Sequence, residues 1–169
     1  KGAAVLYTGS YKGSDRDFKS VLLKVASENP DTLYVMSLPE QLPIIINQAR
    51  ELGYDGHILT YGPSANTDEV KTSIKDKKDI YYPEPVIVEE TDFWERFEKD
   101  RGKRPDYIIG AGYDNALLIA EVLRNCHEDT TCAREYLLSV DGFQSTRGEI
   151  SFDENGDMAG VEFQIRNIE

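Results

Sequence analysis

Residues 113–166 read YDNALLIAEVLRNCHEDTTCAREYLLSVDGFQSTRGEISFDENGDMAGVEFQIR. Ile109, Tyr113, Ala116, Leu117, Ala120 and Leu123 recur at helical spacing. Cys126 and Cys132 then bracket a polar turn, and a shorter helical pattern follows. After it the period becomes two: Ile150 and Phe152, then Val161, Phe163 and Ile165, alternate with polar residues. Asn155-Gly156 lies between these runs and is a strong hairpin signal. The stretch therefore predicts a helix, a turn, a short helix and a closing β-hairpin. Asp153, Asn155 and Asp157 have the spacing of a calcium loop, but Met158 stands where the loop's glycine would be and Gln164 where its glutamate would be. A tight turn is the better reading.

Upstream, strands and helices alternate. Ala3 to Tyr7 is a short apolar run, a candidate buried strand. Phe18, Val21, Leu22 and Val25 follow at helical spacing, with Ser14, Asp15 and Asp17 where caps and first-turn acids belong. Asn29-Pro30-Asp31 breaks that helix, and Thr32 to Met36 reads as a strand covered on both faces. Leu42, Ile45, Ile46 and Ala49 form the next helical stripe, with Gly53 in C-cap position. His57 to Tyr61 is a strand, Thr67 to Ile74 a weaker helix, and Ile80 to Tyr82 a strand ended by Pro83 and Pro85. Val86 to Val88 is extended. Thr91 is placed to cap a helix that carries Phe93, Trp94 and Phe97 on one side and stops at Gly102. This alternation predicts an α/β fold, a parallel sheet flanked by helices, with a C-terminal β-hairpin.

The 169 residues suffice for a sizeable core. The net charge of −12 argues against nucleic acid, which needs clustered Lys and Arg. No apolar run is long enough to span a bilayer as a helix. The cysteines leave three outcomes open: a disulfide across the helix–helix turn, two free thiols, or a metal site with His127. The last matches no common zinc spacing and lacks a fourth ligand. The disulfide is the expected outcome and would imply an oxidising compartment.

Catalytic constellations are missing. There is no Gly-rich phosphate loop after a strand and no nucleophile elbow. The two histidines, His57 and His127, stand apart in the sequence. The chain is expected not to be an enzyme and to need no cofactor or metal; a small α/β enzyme is the least favoured reading. Binding has positive support. In open α/β sheets, ligands sit outside the carboxyl ends of the strands. Those ends carry Ser37 and Leu38 after the second strand, and Tyr61, Gly62, Pro63 and Ser64 after the third. Tyr61 offers a ring and a hydroxyl, the serines short hydroxyls, and Gly62 close backbone approach.

The order of motifs resembles a known family. Asp17-Phe18, Asn29-Pro30-Asp31, Gln48-Ala49-Arg50-Glu51-Leu52-Gly53, Asp114-Asn115-Ala116-Leu117-Leu118 and Thr146–Asp157 resemble the C-terminal half of the type 1 periplasmic solute-binding proteins. This is the branched-chain amino acid branch that serves ABC importers. The resemblance implies an α/β ligand-binding lobe over 1–104. It also implies crossover helices and a hairpin over 105–169 that would pack on a missing N-terminal lobe, or otherwise self-associate. It implies capture of an amino acid or small carboxylate, delivery to the membrane subunits of an importer, and a periplasmic or extracellular location, with a lipid anchor upstream. Hinge strands would run near Pro83 to Pro85. The alternative is the ligand-binding region of a membrane receptor or sensor. In the amino acid binders the matching loops supply an aromatic group and an acid. Here Leu38 stands in the first, and the second has no acid before Asp68. The amine clamp is therefore not visible, and an aromatic acid or other carboxylate stands beside an amino acid as ligand.

Overall fold

The computed structural model describes residues 2–88 and 92–169, so the cap expected at Thr91 lies outside the described residues. The chain groups into two compact units, residues 1–84 with 165–169, and residues 85–164. The helix α5 (Phe93–Arg101) falls in the second unit.

The first unit holds α1 (Lys19–Ser27), β1 (Thr32–Val35), α2 (Leu42–Glu51), β2 (His57–Thr60), α3 (Gly62–Ala65), α4 (Asp68–Ser73) and β3 (Ile80–Pro85). The strands β1, β2 and β3 are parallel and in sequence order, and β7 (Phe163–Asn167) lies beside β3. The expected stripe of α2 is buried, with Leu42, Ile45, Ile46 and Ala49 in the core beside Phe18, Val35, Ile58 and Ile80. Gly53 takes φ +85, and the Tyr54 and Gly53 amides reach back to the carbonyls of Ala49 and Arg50, both at 3.0 Å. This double bond closes the helix end that a residue with a Cβ would strain.

Three expectations fail here. Ala3 to Tyr7 is not a strand; Val5 is 84% exposed, and no described strand pairs with the segment. Apolar composition makes a strand only where a neighbour supplies backbone partners. The stretch Thr32 to Met36 is covered on one face only. Val35, Ile58, Thr60, Ile80 and Tyr82 point into the core, whereas Tyr34 and Leu59, paired across the ladder, are 61% and 40% exposed. The helices of this unit pack on the other side. Finally, β3 continues through Pro83 and Pro85. Its ladder with β2 ends at Tyr81, so the prolines remove no amide from that pairing.

The second unit holds α5, α6 (Tyr107–Cys126), α7 (Thr130–Leu138) and an antiparallel sheet of β4 (Phe143–Ser145), β5 (Gly148–Phe152) and β6 (Met158–Ala159). Cys126 and Cys132 are joined in a disulfide that ties the end of α6 to α7. Asp129 between them caps α7, accepting from the Thr131 and Cys132 amides at 2.9 and 3.0 Å.

The C-terminal hairpin is present with different partners from those expected. The Asp153 carboxylate accepts the Asn155 and Asp157 amides, both at 2.9 Å, which holds its pKa below the usual carboxylate value. The tight turn sets Phe152 opposite Met158, so Val161 to Ile165 is not the return strand. Gly160, at φ +90, passes so close to Glu149 that an added Cβ would lie 2.2 Å from its carbonyl oxygen. The pairing stops there, and β7 joins the other sheet.

The buried line of α6 also differs from the expected stripe. Gly110, Asp114 and Leu118 face inward, while Ile108, Ala116, Ile119 and Leu123 are exposed. The rotation is set by Asp114. Its carboxylate accepts from the Thr146 amide and the Thr146 hydroxyl, both at 2.8 Å, with Arg147 Nε at 3.5 Å. Gly110 lies against Trp94 and Thr146, with no room for a side chain.

A parallel sheet with one bare face, and a helix with a bare apolar stripe, favour association. Light scattering of the isolated chain is expected to show an assembly that grows with concentration. Tyr34→Lys combined with Leu59→Lys should raise the monomer fraction. A monomer at every concentration would show that these faces are not adhesive.

Candidate functional site

The carboxyl ends of β1 and β2 are built by hydroxyl-to-carbonyl bonds. Val35 and Thr60 are paired in the ladder, and the buried Thr60 hydroxyl donates to the Val35 carbonyl at 3.0 Å. One residue further, the Tyr11 hydroxyl donates to the Met36 carbonyl. The Ser64 hydroxyl donates to the Ser37 carbonyl. The loop after β1 is thereby held from both sides, by the Gly- and Ser-rich loop from Gly9 to Asp15 before α1 and by the turn after β2.

Gln41, which is fully buried, fixes that Gly/Ser loop. Its Nε2 donates to the carbonyls of Lys12, Gly13 and Asp15 at 3.0, 3.2 and 3.3 Å. Burial pushes the Tyr11 hydroxyl above the ordinary tyrosine pKa, an effect the neighbouring Ser37 side chain partly offsets. Tyr11 is therefore a neutral donor at physiological pH.

The six residues singled out from the sequence divide into a rim and a support. Leu38 and Tyr61 are 52% and 43% exposed. Tyr61 precedes α3 in extended conformation, and its carbonyl accepts the Ser64 and Ala65 amides at 3.0 and 3.2 Å. Pro63 is half-buried at the start of α3. Gly62 and Ser64 are buried, and the Ser64 hydroxyl is engaged with Ser37. The Ser37 hydroxyl is buried without a hydrogen-bond partner among the described residues. A buried orphan hydroxyl costs free energy unless something satisfies it.

Sequence reasoning missed Tyr11 and Gln41. The available signal was an aromatic residue in a polar loop, Tyr11-Lys12-Gly13-Ser14, and a glutamine directly before an apolar helix. His57 and His127 stay out of the site. His57 opens β2 against the Tyr81 ring, 5.9 Å between centroids, and His127 sits at the C-terminal end of α6 with φ 52. Among the described residues no group of His, Cys, Asp and Glu side chains could hold a metal.

The model of the periplasmic binding protein family matches residues 1–165. The chain belongs to that family. No curated protein matches it in sequence, but solved structures share its fold. The leucine-binding protein LivK of Thermotoga maritima is 23% identical with a TM-score of 0.76, over 93% of this chain and 50% of that one. A Rhodopseudomonas palustris ABC transporter solute-binding protein in complex with 4-hydroxybenzoate is 13% identical with a TM-score of 0.77, over 99% and 49%. An extracellular ligand-binding receptor of Desulfohalobium retbaense is 18% identical with a TM-score of 0.74, over 90% and 27%. This periplasmic binding protein chain thus spans about half the length of LivK or of the 4-hydroxybenzoate binder.

The Ser64–Ser37 bond can be tested directly. Ser64→Ala leaves the Ser37 carbonyl without its donor in a buried setting. A loss of about 1–2 kcal/mol in denaturant stability is expected, comparable to one buried hydrogen bond. Unchanged stability would show that the bond does not anchor the loop.

Proposed function

We propose that this chain captures a small solute at the carboxyl ends of β1 and β2, as part of an extracytoplasmic binding protein that delivers to the membrane subunits of an ABC importer. The observation that carries the reading is the rim itself. Tyr61 and Leu38 stand exposed on loops fixed from beneath by Ser64, Tyr11 and Gln41. Rigid loops presenting an aromatic ring and an apolar side chain suit a ligand with an apolar or aromatic body. Ser37, Gly62, Pro63 and Ser64 complete the proposed set, as backbone and support more than as side-chain contacts.

The ligand class follows from what the loops lack. The loop after β2 has no acid before Asp68, Glu40 is the one carboxylate of the loop after β1, and the Ser64 hydroxyl is already committed. A carboxylate with an apolar or aromatic body fits better than an α-amino acid. The LivK neighbour is a leucine binder and the Rhodopseudomonas neighbour holds 4-hydroxybenzoate; the second is the nearer guide to this rim. Binding energy would come from burial and polar complementarity, with no bond made or broken.

The remaining parts of the reading rest on length and exposure. The bare sheet face around Tyr34 and Leu59 and the exposed stripe of α6 are surfaces on which the rest of a two-lobed protein would pack. The chain's half-length match to LivK supports this. Pro83 to Pro85 falls where the chain passes from one compact unit to the other, which suits a hinge strand. The family supports a periplasmic or extracellular location, and a lipid anchor upstream belongs to the same proposal.

Calorimetry on a panel of aromatic acids, short carboxylates and branched-chain amino acids tests the function. One aromatic or aliphatic carboxylate should bind, and Tyr61→Ala should weaken it about tenfold, as loss of one well-packed aromatic contact does. Leucine or isoleucine binding more tightly than any simple carboxylate would overturn the ligand class. Binding unaffected by Tyr61→Ala would overturn the site.

A further inference from the structure

The first unit carries a second concave feature, a cleft of about 490 Å³ alongside β3 and β7. It is lined by Asn66 after α3, Lys71 on α4, Glu84 on β3, and Arg166 and Asn167 on β7. We propose that this cleft binds a small monocarboxylate, held between the Lys71 ammonium and the outer edge of the Arg166 guanidinium.

The side chains are organised around Glu84, whose side chain is only 15% exposed. Each of its oxygens accepts one bond: Oε1 from Asn66 Nδ2 at 2.8 Å, and Oε2 from Arg166 Nε at 3.1 Å. Using Nε orients the guanidinium and leaves its two terminal nitrogens without a partner among the described residues. Asn66 is turned by the same bond, so its carbonyl oxygen accepts from Lys71 Nζ at 3.1 Å. Lys71 is thus held on a neutral amide, and among the described residues it forms no ion pair.

The lining is balanced in formal charge, Glu84 and Glu169 against Lys71 and Arg166, and it is the unused donors that favour an anion. Glu84 has both oxygens engaged, whereas two cations keep unused donors, with the Asn167 amide beside them. A planar carboxylate matches a guanidinium edge in two parallel bonds and can share an oxygen with an ammonium. The volume is that of a small-molecule site. Glu169, on the exposed rim of the same cleft, opposes a second negative charge and so selects a monoanion. The cations stand out in a chain of net charge −12. The cleft is open to solvent, so the attraction is screened and the affinity should be modest. None of this depends on the solute site at Tyr61, which lies at the ends of other strands.

The test is an NMR titration of the isotope-labelled chain with sodium acetate and sodium benzoate, against sodium chloride at equal ionic strength. Saturable shifts are expected at the Arg166 Nε–H, the Asn66 side-chain amide and the Lys71 backbone amide, with the carboxylates only. Lys71→Gln should weaken binding about fivefold, corresponding to about 1 kcal/mol. Arg166→Lys keeps the charge but removes the fork, and should weaken it similarly; it carries the test if the Lys71 variant fails to fold. Affinities are read from the shifts of Asn66, Lys71 and Arg166 themselves, which separates this cleft from the solute site. Shifts that grow linearly and match those with chloride, or affinities unchanged in both cation variants, would overturn the assignment.

Discussion

The bond from the Ser64 hydroxyl to the Ser37 carbonyl is the constraint on which the proposed site depends. It joins the loops leaving two neighbouring parallel strands at the point where both backbones have run out of ladder partners. Just below it, Thr60 makes the same kind of bond to Val35. With the Tyr11 hydroxyl on the Met36 carbonyl, three consecutive carbonyls at the end of β1 are each satisfied by a hydroxyl from elsewhere in the unit. Carbonyls satisfied in this way cost little to bury. The loops are therefore rigid enough to present Leu38 and Tyr61 without ordering them on binding, which is where much of the free energy of loose sites is lost.

The second unit is organised by a different polar anchor. Asp114, mid-helix and buried, takes the amide and hydroxyl of Thr146 and sits beside Arg147. A carboxylate in that setting is tolerable because two hydrogen bonds and a nearby guanidinium compensate its burial. It fixes the rotation of α6 and the start of β5 together. In the same unit, the Val88 amide bonds the Thr146 carbonyl, and Trp94 donates to the Val88 carbonyl at 2.8 Å. One aspartate thus coordinates a helix, a hairpin and the segment around Val88, and its partners decide which apolar residues of α6 remain outside.

Much of the architecture was legible in the sequence because it rests on local signals. The α2 stripe, the Gly53 cap, the alternation of strands with helices and the turn at Asp153 each follow from residue type and spacing. The failures came where a distant partner decides the outcome. Ala3 to Tyr7 has strand composition but no described neighbour. The α6 stripe was read from apolar residues, whereas the buried line passes through Gly110 and Asp114. Val161 to Ile165 alternates correctly, but its partner strand lies in another sheet. For the site, Tyr61 and Leu38 were visible as residues following strands. Tyr11 and Gln41 were not, since their roles exist only through bonds to backbone far away in sequence. Nor could the sequence show that Glu84, Asn66, Lys71 and Arg166 meet in one cleft.

The central claim is that solute contacts the loops after β1 and β2. Mapping amide chemical-shift changes on the labelled chain, using the tightest-binding carboxylate from the calorimetric panel, tests it most directly. The largest changes are expected at Ser37, Leu38 and Tyr61 through Ser64, with smaller ones at Tyr11. Changes confined to other surfaces, with those loops silent at saturation, would contradict it.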